Sequence, residues 1–184
     1  LDAAIEKAGM TEKVDEVSAD LRGTNIHYFA AAATQYGAEV KGGYQYTGKA
    51  YDVKFEHVRG FDTCDSCHDT HTLELKMEQC QSCHADVKDP EDFQQVRLQG
   101  SEADYDGDGD VEEGVFEETA GLQEILYAAM QTYATDIAGT PMVYTSTAYP
   151  YFFIDTNADG EPGEDEAIYP NAFNAWTPRL LKAA

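Results

Sequence analysis

Apolar residues recur at three- and four-residue steps along one long stretch of the chain, at Leu122, Ile125, Leu126, Ala129, Met130, Tyr133 and Ile137. That spacing draws one stripe along a helix, predicted from about Glu117 to Ile137 and ended by Gly139 and Pro141. Residues 1–21 read as one or two short helices broken at Gly9, with Thr11 or Asp15 as caps. The segment NIHYFAAAATQY, Asn25 to Tyr36, is rich in helix formers and stops at Gly37, with His27 on its first turn. Residues 43–53, GYQYTGKAYDV, alternate aromatic and polar side chains around Thr47-Gly48, which predicts a small hairpin. The runs MVYT and YPYFFI are β-prone, and Thr177-Pro178 is an N-cap followed by proline at the first helical position.

The pattern implies a mainly α fold with extensive irregular loops and a small β-hairpin. It is expected to form a single module over residues 1–184: N-terminal helices and hairpin to residue 60, a cysteine-bearing segment at 61–90, and loops with the long helix at 100–184. The chain starts at Leu1 and stops at Ala184 inside a predicted helix, so a piece of a longer polypeptide is expected.

Charge narrows the partners. With 12 basic and 35 acidic residues the formal net charge is −23, a field that repels nucleic acid and anionic lipid and attracts cations or basic redox partners. No apolar run approaches the length of a membrane span, and the first residues lack a basic-then-apolar export pattern, so any export signal is expected to be gone already.

The candidate chemistry lies in the cysteines. All 4 fall in two copies of C-x-x-C-H, Cys64-Asp65-Ser66-Cys67-His68 and Cys80-Gln81-Ser82-Cys83-His84. Thiols three positions apart reach the two vinyl groups of one haem, and the next residue sets an imidazole under its iron. A Cys₄ zinc site is the rival. Only residues 68–79 separate the cysteine pairs, however, short of a zinc-ribbon loop, and zinc gives no reason for a histidine after each pair. The reading is two haems c, close together because their attachment points are so near in sequence. Of the 5 histidines, His68 and His84 are proximal, leaving His27, His57 and His71 for two distal positions. His71, three residues after His68, points away from its own haem toward a neighbouring one. The surplus histidine would make sense if the chain donates a ligand to a haem carried elsewhere, as in a homopolymeric filament. Met10, Met77, Met130 and Met142 are expected in packing roles.

Two acidic loops remain. Asp155, Asn157, Asp159, Glu161 and Glu166 fit D-x-[DN]-x-[DN]-G with glutamate at the twelfth position, a calcium pattern. Pro162 and the strand-like YPYFFI argue for an EF-like loop rather than an EF-hand pair. Asp104, Asp106, Asp108 and Asp110 begin a second loop that has Val115 at the twelfth position, so Glu112 or Glu113 would have to close it. One or two calcium ions are expected, and both cofactors point to an extracytoplasmic setting.

With these motifs, the segments HYFAAAATQYG, VKGGYQYTGKAY, CDSCHDTHTL, CQSCHAD, ADYDGDGD, YPYFFIDTNADGE and AIYPNAFNAWTPRLLKAA resemble the polyhaem membrane-associated cytochromes, secreted multihaem c-type cytochromes. CDSCHDTH differs from the common CHDPH form by Thr70 in place of proline. The resemblance implies bis-histidine haems, further attachment motifs upstream and continuation of the last helix. The expected function is electron transfer to other haem proteins or to haems of neighbouring subunits. A haem-dependent reductase with one open iron site and a calcium-dependent binding module with zinc knuckles are the rivals.

Overall fold

The computed structural model describes residues 1–24, 33, 35–54, 57–97 and 100–184. His27 and most of the helix expected at 25–36 lie outside the described residues. Irregular segments make up most of the described chain. The regular elements are α1 (Asp2–Lys7), α2 (Cys64–Cys67), α3 (Met77–Cys80), α4 (Val115–Asp136), β1 (Met142–Tyr144), β2 (Phe152–Ile154) and α5 (Pro178–Ala183), with 3₁₀ turns at Gly37–Val40, Pro90–Gln95 and Tyr169–Asn171. Helix is therefore scarcer than a mainly α pattern suggests, and residues 11–20 form turns. Among the described residues no helix is long and apolar enough to cross a membrane.

Contacts divide the chain into two compact units, residues 1–25 with 125–184 and residues 26–124. The first has an apolar core of Ile5, Met10, Leu21, Met130, Ala134, Met142, Phe173, Ala175, Trp176, Leu180 and Leu181. Trp176 is its centre: its ring meets Phe152 and Phe173 edge-on at 5.5 and 5.1 Å, and its indole N–H donates to the Phe173 carbonyl at 3.0 Å. That bond satisfies the one polar atom of a buried indole. Three of the four methionines, Met10, Met130 and Met142, lie in this core.

Helix α5 starts where the Thr-Pro pair predicts, with Thr177 Oγ1 accepting the Leu180 N–H at 3.1 Å. β1 and β2 pair antiparallel in the register Met142 to Ile154, Val143 to Phe153 and Tyr144 to Phe152. The hairpin expected at 43–53 is a correction. The turn at Thr47-Gly48 forms, but no ladder follows, because its groups bond elsewhere. Tyr46 N–H donates to the Tyr51 hydroxyl and Gln45 Nε2 to the Ala38 carbonyl, while the Asp52 carbonyl accepts from Ala38 N–H. The stripe on α4 is likewise only partly used: Met130 is buried, whereas Leu122, Ile125, Leu126 and Ile137 are exposed.

The N-terminal segment is clamped to α5 by Asp15, whose carboxylate accepts from Arg179 Nε at 2.5 Å and from the Tyr133 hydroxyl at 2.8 Å. The Arg179 guanidinium, and then that hydroxyl, lower the Asp15 pKa from 3.8 to about 2. A depressed carboxyl stabilises the fold above its unfolded pKa and stops doing so as it is protonated. Asp15→Asn should thus be less stable than the parent at neutral pH, with the gap closing as the pH falls from 3.8 toward 2. Urea midpoints of both proteins across that range measure it, and a constant gap would refute the ion pair's role.

Candidate functional site

The two cysteine motifs fold alike. In α2, Cys64 and Cys67 lie one helical turn apart, so their thiols share a face. The turn is held at its start by the Thr63 N–H, which donates to Ser66 Oγ at 3.0 Å. Cys80 ends α3, and the helical turn carries on to Cys83. In each motif the histidine N–H donates to the carbonyl of the first cysteine, His68 to Cys64 at 2.8 Å and His84 to Cys80 at 2.9 Å. One backbone bond thus places the imidazole relative to both thiols, twice over.

Between the motifs the chain turns back on itself. His68 bridges Leu75, Lys76 N–H donates to the Cys67 carbonyl, and Asp69 N–H to the Glu74 carbonyl. Asp69 Oδ1 accepts from the His71 and Thr72 N–H groups at 2.8 and 2.9 Å. The Thr72 bond and then the His71 bond hold the Asp69 carboxyl below its ordinary range. At the tip, Leu73 takes φ 64°, a conformation that costs a leucine about 1–2 kcal/mol. That twist sets its carbonyl 2.8 Å from His68 Nδ1. With Nδ1 so engaged, Nε2 is the nitrogen left to face a metal, the usual support of a ligating histidine.

These residues fit a haem better than zinc. The four thiols are free of disulfides, and the described groups close enough to share a metal ion are all carboxylates, not the cysteines. Among the described residues of the 26–124 unit, Val87 is the sole buried hydrophobic side chain. A unit of that size needs apolar surface inside it, and a covalently held macrocycle would supply it. His57, His68, His71 and His84 are all within this unit, His57 and His71 both exposed.

The acidic loops share a second repeated geometry. In one, Asp155 accepts from Ala158 and Gly160 N–H, Asn157 from Asp159, and Asp159 from Glu161. In the other, Asp104 accepts from Gly107 and Gly109 N–H, Asp106 from Asp108, and Asp108 from Asp110. Position six is glycine in both, at φ 82° for Gly160 and 98° for Gly109, where an L side chain is strained. β2 leads into the first of these loops and no helix follows it before the 3₁₀ turn at Tyr169–Asn171, so it is EF-like without being an EF-hand.

Closure of the loops adds one residue to those expected. Glu166 Oε1 accepts the N–H groups at the second and third positions, Thr156 at 2.6 Å and Asn157 at 3.3 Å. The group that does the same in the other loop is Glu118: its Oε2 accepts from Tyr105 at 2.7 Å and Asp106 at 3.2 Å. Glu118 thus closes a loop three residues longer than the pattern, from the first turn of α4, and neither Glu112 nor Glu113 takes that place. Its other oxygen meets Arg97 Nη1 at 2.5 Å, and Arg97 also donates to the carbonyls of Ser101, Ala103 and Glu113.

Glu118 and Glu166 are each 2% exposed. Burial works to raise the Glu118 carboxyl, but Arg97 and the two N–H donors together hold it below its ordinary range. Thr156 hydroxyl and Gly163 N–H lower Glu166 in the same way. Glu113 goes the other way: burial first, then Asp108, Asp106, Glu118 and Asp110, push it up, and its Oε1 is buried without a hydrogen-bond partner among the described residues. Asp104, Asp106 and Asp108 form one cluster that could hold a cation, Asp106, Glu113 and Glu118 another, and Asp155, Asp159 and Glu166 a third. Glu118 was missed because it falls outside the twelve-residue spacing; its sequence signal is an acid in the first turn of a helix that follows an acidic loop.

Residues 33–103 match the model of the class III cytochrome c family, and both cysteine motifs fall inside the match. No curated protein and no solved structure matches the chain.

The Asp106 carboxylate lies against Gly121 of α4, where a methyl group would overlap it. Helix propensity favours alanine over glycine by about 1 kcal/mol, yet Gly121→Ala should lower stability by about 1–3 kcal/mol through overpacking. Urea unfolding checks this, and a stabilised variant would refute the contact.

Proposed function

We propose that this multihaem c-type cytochrome transfers electrons outside the cytoplasm through two haems c, held at Cys64, Cys67 and His68 and at Cys80, Cys83 and His84, with calcium in its acidic loops. The observation that carries the reading is the repeated turn in which each histidine N–H bonds the first cysteine of its motif, 2.8 and 2.9 Å long. Two equivalent turns that use every cysteine are hard to explain unless each serves the same planar group. The match of residues 33–103 to a family of multihaem electron carriers supports it.

When bound, haem supplies reversible one-electron chemistry at iron. The chain's own residues do the rest. The thiols would anchor the haems, His68 and His84 would ligate iron, and the Leu73 carbonyl would fix the orientation of the His68 ring. His27, His57 and His71 are the candidates for the remaining iron ligands, which would leave no open position for substrate. The net charge of −23 steers basic redox partners toward the chain. Partners would be other haem proteins, or haems of identical neighbours in a filament, with the exposed His71 as a ligand offered outward.

Calcium would sit among Asp155, Asn157, Asp159, Glu161 and Glu166, and among Asp104, Asp106, Asp108, Asp110 and Glu113 with Glu118 as the closing group. Each cluster gathers carboxylate oxygens on one side of a tight turn, the donor set a hard cation needs.

The intact mass of the purified chain should exceed its polypeptide mass by two haems, with low-spin absorption bands. A mass equal to the amino acids alone would overturn the reading. Calcium titrated by calorimetry at decreasing pH should leave the Asp104 loop first, because Glu113 takes its proton at a higher pH than an ordinary glutamate. The Asp155 loop should hold calcium to lower pH, because Glu166 stays ionised longer. Glu166→Gln should remove the acid-resistant step, and loss from both loops together would refute the assignment.

A further inference from the structure

We infer that His57 is the axial partner of His84, so that the haem attached at Cys80 and Cys83 takes both of its imidazoles from this chain. The inference rests on the haem reading above and goes beyond it by assigning one ligand to one iron. The His57 and His84 rings lie with centroids 5.9 Å apart and planes 25° from parallel. A metal between two imidazoles, with bonds of about 2 Å and ring centres about 1 Å beyond the nitrogens, sets the centroids about 6 Å apart. The observed separation matches that value.

Nothing in the sequence selects this pair. His57 is 11 positions from His68 and 27 from His84, so proximity along the chain favours the wrong partner. The fold brings the distant one close and fixes its ring. Phe93 stands edge-on to His84 at 6.1 Å and 75°, on a 3₁₀ turn whose start is tied by Asp92 Oδ2 to the N–H groups of Lys88 and Asp89. His84 is thus held against rotation on the side that Phe93 covers.

Assigning His57 in this way changes the use of the remaining histidines. His27 and His71 are then the chain's own candidates for the iron above His68 and for one outside the chain. His71 is exposed, and Asp69 pins its backbone.

Two aromatic rings that merely touch also fall at this separation, so the test must read the iron itself. The holoprotein is made as Cys64→Ala/Cys67→Ala, to keep only the second haem, and as Cys80→Ala/Cys83→Ala, to keep only the first. Intact mass confirms the haem count of each, and electron paramagnetic resonance reads the spin state with and without His57→Ala. In the chain with only the second haem, His57→Ala should convert the iron from low-spin to high-spin, and added imidazole should restore it. In the chain with only the first, the spectrum should not change.

An iron at Cys80 and Cys83 that stays low-spin, or a change confined to the first haem, would overturn the pairing. His57→Met, which keeps a ligating side chain, should leave that iron low-spin with an altered spectrum; a spectrum identical to the parent's would count against His57. A parent chain without attached haem would instead sink the underlying reading, and its mass shows that before any ligand is tested.

Discussion

The site region depends on a single short hydrogen bond made twice, from the histidine N–H to the carbonyl of the first cysteine in its motif. It is an ordinary helical bond, but it fixes three side chains at once. Two thiols come to one face of a turn, and an imidazole follows at its end. The stretch between the motifs carries the same economy, because an extra turn at Asp69 to Glu74 returns a carbonyl to His68 rather than extending the chain away from it. Leu73 adopts an unfavourable backbone angle there, and strain of this kind persists only where the surrounding bonds hold it in place.

This arrangement also explains why the two compact units look so different inside. The unit of residues 1–25 and 125–184 is built in the usual way, with Trp176 surrounded by Phe152, Phe173, Leu180 and Leu181. The unit of residues 26–124 has Val87 as its sole buried hydrophobic side chain among those described. Hydrophobic burial is the main favourable term in folding, and the described side chains of this unit supply little of it. A pair of covalently tethered macrocycles, held as proposed, would add apolar surface there.

The acidic loops show one solution reached with two spacings. Each turns three acceptors at alternate positions inward on the N–H groups two, three or five residues ahead, and each is closed by a buried glutamate that takes the N–H groups of positions two and three. In one loop that glutamate is at the twelfth position, Glu166; in the other it arrives from a helix, as Glu118. Arg97 offsets the charge of the second, whereas in the first the closing carboxylate meets only hydroxyl and N–H donors. Glu113 is instead held above its ordinary range by burial and by its acidic neighbours.

Local chemistry was legible in the residue order. The cysteine motifs, the glycine-bearing acidic turns, the Thr177 cap and the span of α4 all depend on groups a few positions apart, where backbone geometry leaves few choices. What depended on distant residues was not legible. The aromatic alternation at 43–53 suggested a hairpin, but its bonds go to Ala38 and Tyr51 instead, and the sheet forms at 142–154. The apolar stripe of α4 buries Met130 and leaves Leu122, Ile125 and Leu126 exposed, because periodicity names a face without saying what covers it. The closing glutamate of the Asp104 loop and the nearness of His57 to His84 were decided by tertiary structure alone. Both join residues that no short-range spacing relates, and chain folding sets such distances through the sum of many contacts rather than through any one motif.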